Sequence, residues 1–120
     1  MKGDYEKSII YGIKCKTTGQ VYIGSTNQGV NTRLSKHKTD YKGHMGIGNN
    51  VYRNYRSSFE VLHNDTYSIY VIESYPCKNK YELDYRETQH IIRVRLDPDS
   101  DCCNVRLPIR IKNLPLLEVF

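Results

Sequence analysis

Three consecutive stretches decide the fold: Ser8-Ile9-Ile10-Tyr11-Gly12-Ile13, then Lys16-Thr17-Thr18-Gly19-Gln20, then Val21-Tyr22-Ile23-Gly24. The first and last are rich in β-branched and aromatic side chains, which suit a pleated, half-buried surface. The middle one is turn chemistry, with Gly19 free to take a positive φ. Two such strands joined by such a link predict an antiparallel hairpin. Working outward, Tyr67-Ser68-Ile69-Tyr70-Val71-Ile72-Glu73-Ser74 reads as a third strand, ended by Tyr75-Pro76. Gly29 to Lys38 reads as a helix with Asn27 or Asn31 as its cap, residues 43–50 as a Gly-rich loop, and residues 50–56 as a short helix. Asn79, with Glu82 three residues on, forms a capping box that opens a long helix through about Val94. Asp97 to Asp101 is a turn, and Val105 to Phe120 is a C-terminal extension expected to pack on the core as an edge segment. The expected architecture is a single α+β domain over residues 1–120, a small three-stranded antiparallel sheet flanked by helices.

A chain of 120 residues and 14.0 kDa has room for one hydrophobic core. Its mean hydropathy of −0.65 is polar, but 11% aromatic residues are too many for a disordered chain. No apolar run approaches the roughly 18–20 residues that cross a bilayer. The start, Met1-Lys2-Gly3-Asp4-Tyr5-Glu6-Lys7, lacks the apolar centre of a signal peptide. Membrane and secreted classes are therefore disfavoured, and an intracellular place, cytoplasmic or nuclear, is expected. Cys15, Cys77, Cys102 and Cys103 fit neither a dense disulfide framework nor a CxxC pair, and read as reduced thiols.

The net charge of +5 is concentrated rather than spread. Residues 31–56 carry Arg33, Lys36, Lys38, Lys42, Arg53 and Arg56 against Asp40 alone, while the charges of the other residues cancel. Tyr41, Tyr52 and Tyr55 are interleaved with them. Clustered cations with aromatics between them form the footprint of a phosphate backbone with stacking partners. A solvated helix face gives the same charge cluster, so chemistry elsewhere has to decide between the two.

Two helical spacings supply that chemistry. Leu83, Glu87 and Ile91 recur at i, i+4, i+8, which places Glu87 in line with residues that pack inward. A carboxylate there needs an opposite charge, hydrogen bonds or a metal. Arg33 and His37, four apart, project from one face of their helix. A guanidinium can fork onto phosphate oxygens, and a neighbouring imidazole can move or orient a proton.

Taken together with the hairpin tyrosines, these residues resemble the GIY-YIG nuclease family. Ile9-Ile10-Tyr11 stands at the first motif, with Ile9 in place of its glycine, and Tyr22-Ile23-Gly24 matches the second letter for letter. Arg33 with His37 is similar to the family's helix motif. Tyr85-Arg86-Glu87-Thr88-Gln89-His90-Ile91 resembles its metal-binding glutamate helix, and Asn104 matches the asparagine that closes the site. The likeness spans Ser8 to Asn104. It implies a DNA endonuclease that hydrolyses phosphodiesters with one divalent ion, Mg²⁺ or Mn²⁺. Tyr11 or Tyr22 would activate or position water with help from His37, Arg33 would stabilise the transition state, and Glu87 would hold the metal. Gly24 would allow close backbone approach. Lys36, Lys38, Lys42, Arg53 and Arg56 would lay DNA across the site, in a monomer or a homodimer. His90 stands where the family has an aromatic, and Glu87-x-x-His90 makes it a candidate second ligand. A non-catalytic nucleic-acid-binding module of the same fold, or a protein-interaction domain using the tyrosines and the leucine-rich tail, are the competing readings.

Overall fold

The fold is that of a computed structural model in which the described residues are 4–44, 58–63, 66–104 and 107–108. The hairpin forms as its sequence dictates. Strand β1 (Ile9–Cys15) pairs antiparallel with β2 (Gln20–Thr26), setting Tyr11 opposite Gly24 and Ile13 opposite Tyr22. Gly19 turns the chain with φ 78°, and its N–H donates to the Cys15 carbonyl at 2.9 Å. Strand β3 (Tyr67–Ser74) lies antiparallel along the other side of β1, with a register shift between Ile10 and Tyr11. Helices α1 (Val30–His44), α2 (Phe59–Leu62) and α3 (Lys80–Leu96) complete the layers with a short strand β4 (Asp101–Cys102).

Strand alternation sorts the core into two halves. Ile10, Val21 and Ile23 face one side and bury against Leu83, Ile91 and Val94 of α3. Tyr11, Ile13 and Cys15 face the other side, under Phe59, Val61 and Leu62 with Leu34 and Tyr41 of α1 packed alongside. Each fully buried aliphatic side chain contributes about 1.5–3 kcal/mol to holding its layer.

Four features depart from the expectation. The sheet has four strands, in the order β3-β1-β2-β4, and is mixed because β4 runs parallel to β2. A two-residue strand has no periodicity to read, so Asp101 appeared to belong to the preceding turn. Helix α1 continues six residues past Lys38. It is preceded by Gly29 at φ 87°, whose carbonyl accepts from Arg33 N–H at 3.1 Å, so neither Asn27 nor Asn31 occupies the cap. In α3 the Asn79 side chain accepts from Glu82 N–H at 2.9 Å as a cap should, but Glu82 reaches back to Lys78 N–H, one residue earlier than a capping box predicts. The short helix expected at 50–56, most of the loop at 43–50 and nearly all of the tail lie outside the described residues. None of the four cysteines forms a disulfide, and no described helix is long and apolar enough to cross a membrane.

Candidate active site

The hairpin supplies the first two groups. Tyr11 points from the central strand into the layer beneath α1 and is wholly buried. Tyr22, on the neighbouring strand, is half-buried and faces the same side. Gly24 sits directly over the Tyr11 ring, and a Cβ there would lie 2.5 Å from Cζ of that ring. A side chain at 24 would have to displace this buried ring.

Helix α1 lays its Arg33/His37 face over these phenols. Tyr11 Oη and His37 Nε2 are 2.6 Å apart. The His37 ring meets Tyr22 edge-on at 5.4 Å between centroids and Tyr11 at 6.0 Å. Burial pushes the Tyr11 phenol up to about 12, with Arg33 pulling the other way. Burial pushes Tyr22 up as well, reinforced by Tyr11 and Glu87 and opposed by Arg33. At neutral pH both phenols therefore keep their protons.

Glu87 enters from the opposite layer, on α3 between the buried Leu83 and Ile91. The stripe that placed it inward is real, yet the carboxylate reaches the end of β2, where Ser25 Oγ donates to its Oε1. Among the described residues it makes no ion pair. Burial pushes its carboxyl up to about 7, and Asp84 adds to this, while the Ser25 bond, Arg33 and Lys80 hold it back. Arg33 thus acts electrostatically on Tyr11, Tyr22 and Glu87.

This carboxylate fits a hard divalent ion. It is an oxygen donor that burial leaves short of positive charge, at the rim of a cluster that also contains a guanidinium. No group of three or more His, Cys, Asp or Glu able to hold a metal occurs among the described residues. Glu87 would thus serve as the protein ligand, with water and phosphate oxygens filling the other positions, as is common for Mg²⁺.

His90 does not join it. One turn along α3 it is buried against β3, with Nε2 3.1 Å from Glu73 Oε1, so the Glu87-x-x-His90 pair diverges and His90 is a packed histidine. Asn104 lies beside β2, where its Oδ1 accepts from Ile23 N–H and its Nδ2 donates to Ile23 O, both at 2.8 Å. It braces the strand that carries Tyr22 and Gly24. Lys36, Lys38 and Lys42 are exposed along α1, and Arg53 and Arg56 lie outside the described residues. Two residues escaped the sequence reading. Ser25 had a signal, because it alternates with Ile23 on the side that α3 covers. Ser58, whose Oγ lies 3.1 Å from His37 Nδ1, had none.

A family model for the GIY-YIG catalytic domain matches residues 7–95, well over half of the chain. The chain belongs to the GIY-YIG family of endonuclease domains. Comparison with curated proteins and with solved structures found no match. The match takes in both GIY-YIG tyrosines, Arg33, His37 and Glu87, and stops short of Asn104. GIY-YIG nucleases generally use a divalent metal, which agrees with the donor chemistry of Glu87.

Proposed function

We propose that this GIY-YIG domain is a metal-dependent DNA endonuclease that hydrolyses one phosphodiester at a time. The reading is supported by the contact of Tyr11 Oη with His37 Nε2 at 2.6 Å, by Tyr22 edge-on to the same ring, and by the electrostatic action of Arg33 on Tyr11, Tyr22 and Glu87. Arg33 is placed to bind the non-bridging oxygens and to stabilise charge as the pentacoordinate transition state forms. Tyr22, the phenol that keeps some exposure, orients the attacking water. The water oxygen bonds to phosphorus as the bond to the 3′ oxygen breaks. Its proton leaves through the phenol hydroxyls to Nε2 of His37, which already faces Tyr11 Oη, and the 3′ oxygen takes a proton from solvent. Glu87 would hold Mg²⁺ or Mn²⁺, which would supply Lewis-acid stabilisation of the departing oxygen, worth several kcal/mol in such reactions. Lys36, Lys38 and Lys42 on α1, with Arg53 and Arg56 beyond it, track the DNA backbone by charge.

Supercoiled plasmid incubated with Mg²⁺, Mn²⁺ or EDTA tests the proposal. Nicked or linear product is expected with metal and none with EDTA, and Arg33→Ala should lower the rate by about 10²–10³. Intact plasmid with every metal, at protein in excess over DNA, would overturn the reading for duplex DNA.

A further inference from the structure

His37 is held at both ring nitrogens, and only one of the two contacts belongs to the GIY-YIG residues. Nε2 faces Tyr11 Oη at 2.6 Å, and Nδ1 faces Ser58 Oγ at 3.1 Å. Ser58 is 1% exposed and stands at the start of α2, where serine ordinarily turns its hydroxyl onto the first free N–H groups of the helix. Here it makes no such bond. Its backbone is helical, φ −61° and ψ −20°, rather than in the extended form of a capping residue. The hydroxyl is directed to the imidazole instead.

The burial of Tyr11 sets the direction of the chain. Among the described residues His37 Nε2 is the one hydrogen-bond partner of this wholly buried hydroxyl, so the phenol proton is donated there. A neutral imidazole that accepts at Nε2 carries its proton at Nδ1, and that N–H then needs an acceptor in a buried site. Ser58 Oγ is that acceptor. We infer that Ser58 is a positioning residue that fixes His37 as the Nδ1–H tautomer and so keeps a lone pair on Nε2 aimed at Tyr11. The arrangement also suits the imidazolium formed once Nε2 takes up a proton, because Nδ1–H goes on donating to the same oxygen without rotation of the ring. The inference rests on the nuclease reading for its purpose, but the tautomer can be measured whether or not DNA is cut.

The experiment is long-range ¹H–¹⁵N NMR of the histidine rings at pH 8 in wild type, Ser58→Ala and Ser58→Cys, with His37→Gln to assign the signal. Wild type should show a protonated Nδ1 and a bare Nε2. Ser58→Ala, which removes the acceptor without removing a helix cap, should move the Nδ1 resonance toward the average of the two tautomers. Ser58→Cys, which keeps the volume and weakens the acceptor, should fall between. Plasmid cleavage by Ser58→Ala should then lose about 10–10² in kcat with KM for DNA unchanged, the size of a general acid–base contribution lost in part. A bare Nδ1 in wild type, or an unshifted Nδ1 signal in both variants, overturns the inference. If wild type fails to cut DNA while the tautomer shifts as described, the nuclease reading falls and the role of Ser58 stands.

Discussion

Two half-buried carboxylates, Glu73 on β3 and Glu87 on α3, lie along helix α3 and have opposite fates. On the β3 side, Glu73 receives a two-pronged contact from Arg86, Nε to Oε1 at 2.6 Å and Nη2 to Oε2 at 2.8 Å, with His90 Nε2 on Oε1 at 3.1 Å. The Arg86 hydrogen bond, with help from His90, holds its carboxyl down at about 2 against the effect of burial. On the β2 side, Glu87 has one serine hydroxyl, and burial takes its carboxyl up to about 7. Every demand of the first carboxylate is met by the chain itself, whereas the second is built one positive charge short. The difference separates a carboxylate held in an ion pair from one that has no ion-pair partner among the described residues. The hollow of about 260 Å³ lined by Glu73, Arg86, His90 and Arg93 holds the Glu73–Arg86 pair.

The largest effect should come from exchanging the two in an activity assay. Glu87→Ala should lower metal-dependent plasmid cleavage by about 10³ with the fold retained by circular dichroism, because the loss is one of charge stabilisation in the transition state. Glu73→Ala should cut at nearly the wild-type rate below its melting temperature. If the two variants are equally impaired, the contrast between structural and functional carboxylates is wrong.

Stability should reverse the ranking. Glu73→Ala leaves Arg86 without its partner in a half-buried place, and should cost about 2–3 kcal/mol in urea unfolding, toward the lower end of what breaking a buried pair costs because water still reaches it. Glu87→Ala should cost far less in metal-free buffer.

The smallest effect, and the sharpest in sign, lies in the pH dependence of metal-free protein. The lowered carboxyl of Glu73 contributes stability that is complete above its unfolded value near 4.5 and is lost as pH falls toward 2. The raised carboxyl of Glu87 works the other way, withdrawing stability as pH rises from 4.5 through about 7. Glu87→Gln should therefore be more stable than wild type at pH 8 without metal, by about 1 kcal/mol once solvent screening is allowed for, and equal to it at pH 4. Adding Mg²⁺ at pH 8 should stabilise wild type and not Glu87→Gln. Melting curves at the two pH values, with and without metal, give all four readings.

Much of this was legible before any coordinates, and the reasons differ from residue to residue. Tyr11, Tyr22 and Gly24 were singled out by their likeness to the GIY-YIG motifs, with the hairpin placing one tyrosine on each strand. Glu87 stood out because a charge interrupting the apolar stripe of a helix is an energetic anomaly that requires a partner. The i, i+4 rule put Arg33 and His37 on one face, the likeness to the family's helix motif made them candidates, and α1 could be six residues too short without disturbing them. The failures have the same physical root. Glu73 gave no sign of its partner because Arg86 and His90 lie on another element. Ser58 is separated from His37 by a stretch with no strong periodicity, and a buried serine looks like any other until its hydroxyl is seen to leave the helix start. Strand β4 is too short to leave a pattern.

The amide of Asn104 copies a peptide group. Where β4 ends, its side chain takes over the parallel ladder, after Cys103 N–H has donated to Val21 O at 2.9 Å, and satisfies both polar atoms of Ile23 at once. Arg95 at the end of α3 donates to the Asn104 carbonyl at 2.6 Å, so the same residue ties helix and sheet. An outer strand with open N–H and C=O groups is a template on which a foreign strand can grow. By spending one side chain on that flank, the domain closes off the strand bearing Tyr22 and Gly24 to self-templating, and its most exacting geometry is kept out of the chain's aggregation chemistry.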